Sequence, residues 1–472
     1  MEIHEYAHHD ALGLAELIRS GAVSVKEVEL AAREALAEAD AAVNGLVGPL
    51  FDEPLWHADG GPFAGVPFLL KDHGPVAAGV PFTIGSRALK GAVAQRDTEL
   101  MTRFRMAGLS TLGVTTVPEM AISFATESAR YGRTRNPWDL TRGVGGSSGG
   151  AAALVASGAV PMAHGGDGAG SLRVPAACCG LVGLKPSRAR VSCGPDSGEP
   201  GLGMTYEFAL TRTVRDAAHL LDAVQGPAPG DKYVAPPPRG PYADEIGRDP
   251  GTLRVAVTTT AWSGVPVDPE VAAAAVRTAR VLESAGHHVT EASPEVDSGA
   301  MTRSLVAGLA HIGSLYLVAP RQPDPAEMEA VSRLVLDLGR AYRLVEMTAA
   351  ADAMNHVTRS VGRFFTEYDL LVTPVLSRSP APHGTLDYDN PEHTVTSWVE
   401  TLFAYAPFTA LFNVSGQPAV SLPLGHGADG LPIGVQLVAP YGREDLLFQV
   451  AAWLEREMPW RDRRPPVHVG GH

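Results

Sequence analysis

Cysteine and basic residues are scarce in this chain of 472 residues. Its three cysteines, Cys178, Cys179 and Cys193, form neither a metal-ligand pattern nor an even disulfide set, so we interpret them as reduced packing residues. Lysine and arginine number 38 against 52 acidic residues, and no dense basic run occurs. This balance argues against nucleic acid and anionic membranes as partners and favours a small molecule.

Long hydrophobic runs are also missing. The longest run near the glycine-rich region, AAALVASGAV, is too short to cross a bilayer. The N-terminal stretch MEIHEYAHHDALGLAEL has no basic segment followed by an apolar one, so no secretory signal is predicted and a cytoplasmic protein is expected. With 45% hydrophobic residues, the chain can bury a large core.

Helical and strand patterns alternate along the chain, which predicts a single α/β domain over residues 1–472. A stretch rich in proline and glycine predicts an exposed connector between two parts of this domain. The predicted regions are N-terminal helices at 11–42, a core at 63–225, the connector at 226–251, a variable, mainly helical substrate-side region at 252–367, and a return to the core sheet with a C-terminal helix at 368–472.

Glycine, by contrast, is dense in two places, GVGGSSGG at 143–150 and GGDGAGSLR at 165–173. Such clusters indicate backbone that takes a special path or approaches a ligand closely. A phosphate-binding loop is disfavoured because neither cluster has the Walker pattern or a dinucleotide fingerprint in a strand–turn–helix setting. A nucleophile elbow is disfavoured because loop-like residues, not a hydrophobic strand, precede the G-x-S-x-G match.

These segments together resemble the amidase signature family. The resemblance is carried by GVGGSSGGAAALVASGAVPMAHGGDGAGSLRVPAACCGLVGLKPS, by GVPFLLKD around Lys71, and by TRNPWDL, FNVSGQPAVSLPLG and LPIGVQLVAPYGREDLL. It covers nearly the whole chain except the middle third. Within the family, the chain is most similar to the members that hydrolyse nylon-type cyclic dimers of 6-aminohexanoate. The implied fold is a twisted mixed β-sheet core surrounded by α-helices.

The resemblance implies a Ser–Ser–Lys triad in which Ser171 is the nucleophile, Ser147 relays protons and Lys71 is the base, with a cis peptide bond before Ser147. It implies an amidohydrolase that cleaves a small linear or cyclic carboxamide through an acyl-enzyme, with no metal and no organic cofactor. Two alternatives remain open: a glutamine-dependent amidotransferase subunit, which would need partner subunits, and a non-catalytic binding protein on the same fold.

The sequence around Lys71 suits a lysine base. A lysine accepts a proton only when it is neutral, and burial in an apolar setting favours the neutral form. Residues 66–70, with the sequence VPFLL, form an apolar run directly before Lys71. Neighbouring side chains on a strand point to opposite faces, so Asp72 need not pair with Lys71.

Around the nucleophile, we expect backbone N–H groups to form an oxyanion hole and polar side chains to brace the loop. The oxyanion candidates are Gly168, Ala169, Gly170 and Ser171. The bracing candidates are Ser148, as a helix cap or orienting group, and an ion pair of Asp167 with Arg173. The family more often has bulkier residues at the positions of Gly166 and Gly168 and a glycine at that of Ala169. His73 and His164 are interpreted as structural histidines.

The substrate pocket is expected to be partly apolar, with an uncharged acyl group as its ligand. Its candidate wall residues are Met120 or Phe124 from one segment and Trp398 or Phe403 from another. Dimers are frequent among similar enzymes, so a homodimer is compatible with the resemblance.

Overall fold

The structure, a computed structural model, describes residues 1–471. Its α-helices are α1 (Ile3–His8), α2 (Ala11–Arg19), α3 (Val25–Val43), α4 (Glu99–Met106), α5 (Gly149–Ala156), α6 (Arg173–Cys179), α7 (Val214–Val224), α8 (Tyr242–Glu245), α9 (Pro269–Ser284), α10 (Ser298–Val318), α11 (Ala330–Ala341), α12 (Leu344–Glu367), α13 (Val395–Tyr405), α14 (Leu411–Ser415) and α15 (Glu444–Glu457). Short 3-10 turns occur at Arg87–Leu89, Glu119–Ala121, Pro200–Gly203 and Pro325–Glu327.

The strands are β1 (Pro67–Lys71), β2 (Pro81–Phe82), β3 (Ala92–Val93), β4 (Ser110–Thr115), β5 (Glu127–Ser128), β6 (Gly132–Arg133), β7 (Arg135–Asn136), β8 (Asp139–Gly143), β9 (Met162–Asp167), β10 (Val182–Lys185), β11 (Tyr206–Thr211), β12 (Arg254–Val257), β13 (His288–Glu291), β14 (Leu370–Pro374), β15 (Ala419–His426) and β16 (Pro432–Val438).

Eight of these strands form the central sheet in the order β13-β12-β14-β16-β15-β10-β11-β9. Strand β12 pairs parallel with β13 and with β14, and the remaining neighbours pair antiparallel. The sheet is therefore mixed, and helices pack around it, which confirms the predicted α/β architecture. Strands β15 and β16 pair antiparallel and form a hairpin within this sheet.

A second, smaller ladder positions the lysine. Strand β1 pairs parallel with β4, and all five of its residues are buried. Lys71 is the last residue of β1, and its backbone N–H donates to Nδ1 of His164 on β9 (3.3 Å). The end of β1 therefore abuts the edge strand of the central sheet.

The N-terminal region contains one helix more than predicted. The expected pair is present as α2 and α3, and Ser24 caps α3 through a capping box with Glu27. The additional helix, α1, lies outside the predicted range of 11–42, and it is held by Tyr6, whose hydroxyl donates to the Ala159 carbonyl (3.0 Å).

The segment 226–251 is mostly irregular and exposed, but it is anchored to the core. Tyr242 and Glu245 in the short helix α8 are buried, and the Arg103 guanidinium donates to the carbonyl of Gly226 (2.6 Å). In the middle region, α10, α11 and α12 follow β12, α9 and β13. Within residues 1–471, no helix combines the length and apolar character that a membrane span requires.

Candidate active site

A cavity of about 100 Å³ opens between the glycine-rich loops and the middle helices. Ser171, Gly168 and Ala169 form one side of it, and Thr205 and Ser123 add the other polar groups. Its remaining lining residues are Ala121, Ile122, Phe124, Gly201, Met204, Leu305, Gly308, Leu309, Ile312, Val399, Leu402 and Phe403. The cavity is thus lined by two serines, one threonine and exposed backbone in an otherwise apolar space.

Lys71 and Ser147 meet in the buried region behind this cavity. The Lys71 ammonium Nζ donates to Ser147 Oγ at 2.8 Å and to the Gly166 carbonyl at 3.3 Å. Lys71 is 2% exposed and Ser147 is 1% exposed. The peptide bond between Gly146 and Ser147 is cis. The next residue in the loop, Ser148, contacts the segment of Ser171, because its N–H donates to the Ser171 carbonyl (3.3 Å).

Burial changes the acid–base chemistry of Lys71. Removal of the ammonium from water lowers the pKa of Lys71 to about 8, and the negative charges of Glu207 and Asp167 limit that fall. Asp72 does not share this site: its carboxylate accepts hydrogen bonds from the Thr83 N–H (2.8 Å) and hydroxyl (2.6 Å). Lys71 therefore has a substantial neutral fraction at mildly alkaline pH.

Ser148 is the N-cap residue of α5, but its side chain does not cap the helix. Its hydroxyl instead bonds to the main chain of Gly166, accepting from the N–H (3.3 Å) and donating to the carbonyl (3.2 Å). The expectation of a helix cap is therefore wrong, whereas the alternative orienting role fits the geometry. The hydroxyl reaches β9 because the two glycine-rich segments lie side by side.

The loop from Gly168 to Ser171 presents its backbone to the cavity. Within residues 1–471, none of its four N–H groups donates a hydrogen bond to a protein acceptor. Gly170 has φ of +144°, and an added Cβ would lie 2.5 Å from Thr409 Oγ1, so this path requires glycine. The carbonyl of Ala169 accepts a hydrogen bond from the Thr409 hydroxyl (2.6 Å).

Asp167 and Arg173 form the expected ion pair at the two ends of this loop. The pair is bidentate, with contacts of 2.9 and 2.8 Å, and both side chains are fully buried. Asn413 donates to Asp167 (2.8 Å), and Gln436 accepts from Arg173 (2.8 Å). Burial alone would raise the pKa of Asp167, but the Arg173 guanidinium lowers it to about 2. The loop is thus clamped by a satisfied charge network.

Two of the four candidate wall residues line the cavity, and two do not. Phe124 and Phe403 lie on its surface. Trp398 is fully buried, and its indole N–H donates to the Ile122 carbonyl (2.9 Å), so it supports the wall from behind. Met120 has φ of +55° and packs into the hydrophobic core, which leaves the neighbouring Ala121 on the cavity.

Glu207 was not predicted from the sequence as a site residue. This residue of β11 accepts hydrogen bonds from His73 (2.8 Å) and His164 (2.9 Å), the two histidines near Lys71. One signal was available: Gly166 departs from the usual family pattern, and a Cβ there would lie 2.8 Å from the Glu207 carboxylate.

The cysteines behave as expected, since all three are free and burial raises the pKa of Cys178 to about 12.

No group of three or more histidine, cysteine, aspartate and glutamate residues in the described part of the chain is arranged to hold a metal ion.

The amidase family model matches residues 28–448. The chain therefore belongs to the amidase family and is a hydrolase that acts on carbon–nitrogen bonds other than peptide bonds.

Particular relatives lie within this family. The chain is 41% identical to the 6-aminohexanoate-cyclic-dimer hydrolase of Paenarthrobacter ureafaciens over 97% of this chain and 96% of that one. It superposes on the structure of a 6-aminohexanoate cyclic dimer hydrolase complexed with substrate at a TM-score of 0.91, with 39% identity, over 98% of this chain and 99% of that one. A bacterial aryl acylamidase superposes at 0.84, with 27% identity, over 96% of each chain.

The first prediction concerns the clamp. Asp167→Ala leaves the Arg173 guanidinium buried without its counter-charge, so we expect the free energy of unfolding to fall by about 3–5 kcal/mol in urea denaturation. Asp369→Ala is the control, since Asp369 makes a similar bidentate contact with Arg254 at the surface, where about 1 kcal/mol or less is expected. Equal losses in the free energy of unfolding would contradict this expectation, because the buried ion pair would then stabilise the fold no more than the surface pair does.

Proposed function

We propose that this chain hydrolyses a small, uncharged carboxamide through an acyl-enzyme on Ser171, with Ser147 as proton relay and Lys71 as base. One observation carries the proposal: the buried 2.8 Å hydrogen bond between Lys71 Nζ and Ser147 Oγ, next to a cavity lined by Ser171. A serine hydroxyl is a weak nucleophile until a neighbouring base takes its proton, and burial makes this lysine able to act as that base.

In the acylation half, Ser171 Oγ attacks the carbonyl carbon of the amide. Its proton passes to Ser147 Oγ while the Ser147 proton passes to neutral Lys71. The carbonyl oxygen becomes an oxyanion, for which the N–H groups of Gly168, Ala169, Gly170 and Ser171 are the candidate donors. The proton then returns by the same relay to the amide nitrogen, the C–N bond breaks, and the amine leaves.

In the deacylation half, a water molecule takes the place of the amine. Neutral Lys71 removes a proton from this water through Ser147, and the resulting hydroxide adds to the acyl carbon. The intermediate collapses by breaking the bond to Ser171 Oγ, which regains its proton from the relay. The product is a carboxylic acid, and the triad returns to its starting protonation.

The cavity supports an uncharged acyl group. Most of its lining side chains are aliphatic or aromatic, and a buried charge without a partner is strongly unfavourable. The cyclic dimer named for the 41% identical relative is a neutral diamide with two apolar methylene chains. We therefore propose a neutral cyclic diamide of this kind as the first substrate to assay.

Labelling tests the nucleophile. We expect a fluorophosphonate probe to form a single adduct on Ser171, measured by intact-protein mass spectrometry and peptide mapping. Ser171→Ala should abolish the adduct, and Lys71→Ala should slow its formation at least a hundredfold because the base is lost. Ser421→Ala, at a buried serine in β15 outside the cavity, is the control that should label normally. An adduct on Ser147 would overturn the assignment of the nucleophile.

The pH profile tests the base. The pKa of Lys71 is lowered to about 8, and only its neutral form accepts a proton. We therefore expect kcat/KM to rise tenfold per pH unit well below pH 8 and to level off above it. A rate independent of pH from 6 to 10 would contradict a lysine base.

Charge on the substrate tests the cavity. We expect the cyclic dimer of 6-aminohexanoate and a linear dimer capped by N-acetylation and C-amidation to be cleaved with kcat/KM at least about tenfold above that of the uncapped linear zwitterion, because the apolar walls offer its charges no partners. Release of 6-aminohexanoate units is followed by chromatography. Equal rates for the capped and uncapped linear dimers would contradict selection against charge.

A further inference from the structure

Three polar side chains that the proposed mechanism leaves unused converge behind Lys71. Glu207 Oε1 lies 2.8 Å from His73 Nδ1, and its Oε2 lies 2.9 Å from His164 Nε2. His164 is buried, while the side chains of Glu207 and His73 are 17% and 24% exposed. One carboxylate therefore joins a residue just after β1 to a residue of β9.

The hydrogen bonds of His164 define its protonation state. Its Nδ1 faces the backbone N–H of Lys71, so this nitrogen must be unprotonated in order to accept. The proton then resides on Nε2 and is donated to Glu207. His164 is consequently neutral, in agreement with burial, which lowers its pKa. His164 therefore carries no positive charge that would neutralise the carboxylate of Glu207.

The same carboxylate lies against the backbone that holds the Lys71 side chain. Glu207 pairs with Gly166 across the β11–β9 ladder, and the Gly166 carbonyl accepts from Lys71 Nζ (3.3 Å). An added Cβ at Gly166 would lie 2.8 and 2.9 Å from the two Glu207 oxygens, so the glycine provides the space for the carboxylate. Glu207 thus touches both segments that fix the lysine.

We propose that Glu207 is a positioning residue for the base: it fixes the end of β1 through His73 and His164, and its charge sets the pH at which Lys71 becomes neutral. This inference rests on the proposed function, because it concerns the base of that reaction. The carboxylate favours the ammonium form and so opposes the effect of burial. The pKa of Lys71 is therefore higher than burial alone would make it.

The other charged and titratable groups near Lys71 do not replace Glu207. Asp167 at the end of β9 is paired with Arg173. Asp72 on the same segment as Lys71 is bonded to Thr83. Near Glu207, burial raises the pKa of Cys193 to about 12, so its thiol stays neutral. The titratable and charged groups that face Lys71 and Glu207 are therefore His73, His164, Asp167 with Arg173, Asp72 and Cys193.

The test is the pH profile of Glu207→Gln, which removes the charge and keeps the side-chain size. Loss of the carboxylate charge favours neutral Lys71. The midpoint of the acid limb of kcat/KM should therefore shift to a pH about one unit lower. At pH 6 the rate relative to the plateau should then rise about tenfold. The plateau itself should fall severalfold, because a less basic lysine is a weaker proton acceptor.

Glu127→Gln is the matched control. Glu127 also accepts a hydrogen bond from a histidine, His383 (3.0 Å), and its side chain is 18% exposed, close to the value for Glu207. This control should leave the acid limb at the wild-type pH. A purely structural role for Glu207 would lower the plateau without moving the limb, and that result, like an unchanged profile, would overturn the proposal.

His73→Ala decides the matter if Glu207→Gln does not fold. It keeps the Glu207 charge and removes one of its two anchors, so the plateau should fall severalfold while the limb does not move down. A wild-type plateau, or a limb moved down, would overturn the positioning role. Fluorophosphonate labelling separates the two proposals: failure to label Ser171 in the wild-type protein refutes the proposed function, whereas normal labelling with an unmoved limb in Glu207→Gln refutes only the role of Glu207.

Discussion

The burial of one amino group is the constraint on which the site depends. Lys71 Nζ lies in the protein interior with two hydrogen-bond acceptors, Ser147 Oγ and the Gly166 carbonyl. An ammonium group in such a place is costly unless it is paired or neutral, and here the partial compensation by Glu207 and Asp167 leaves its pKa at about 8. A group that changes charge near neutral pH is the kind of group that proton transfer requires.

The fold supplies this arrangement by bringing three chain segments to one place. Strand β1 delivers the lysine, the loop before α5 delivers Ser147, and the loop between β9 and α6 delivers Ser171. The buried pair of Asp167 and Arg173 closes the last loop, whose N–H groups at 168–171 donate to no protein acceptor within residues 1–471. For the oxyanion hole that we propose, this rigidity matters because preorganised donors need no rearrangement when charge develops on the substrate.

Much of this arrangement could be predicted from the sequence, because it depends on local patterns. The apolar run before Lys71 predicted its burial, and the opposite charges of Asp167 and Arg173 predicted their ion pair. Contacts between segments that are distant in the sequence were harder to predict from local patterns. Glu207 lies on a strand with no unusual local pattern, and only the β11–β9 register places it beside Gly166. Trp398 and Met120 were assigned to the wall because apolar composition cannot distinguish a lining residue from one packed directly behind it.

The central claim is that Lys71 is a buried amine with a strongly lowered pKa, and NMR can measure it directly. In protein labelled with 13C at the lysine ε carbon, the Lys71 signal is assigned by its absence from Lys71→Ala, and its chemical shift is followed from pH 5 to 11. The account predicts a titration midpoint near pH 8. A midpoint at 10 or above would mean that the amine stays charged under working conditions, and the account of its role as a base would fail.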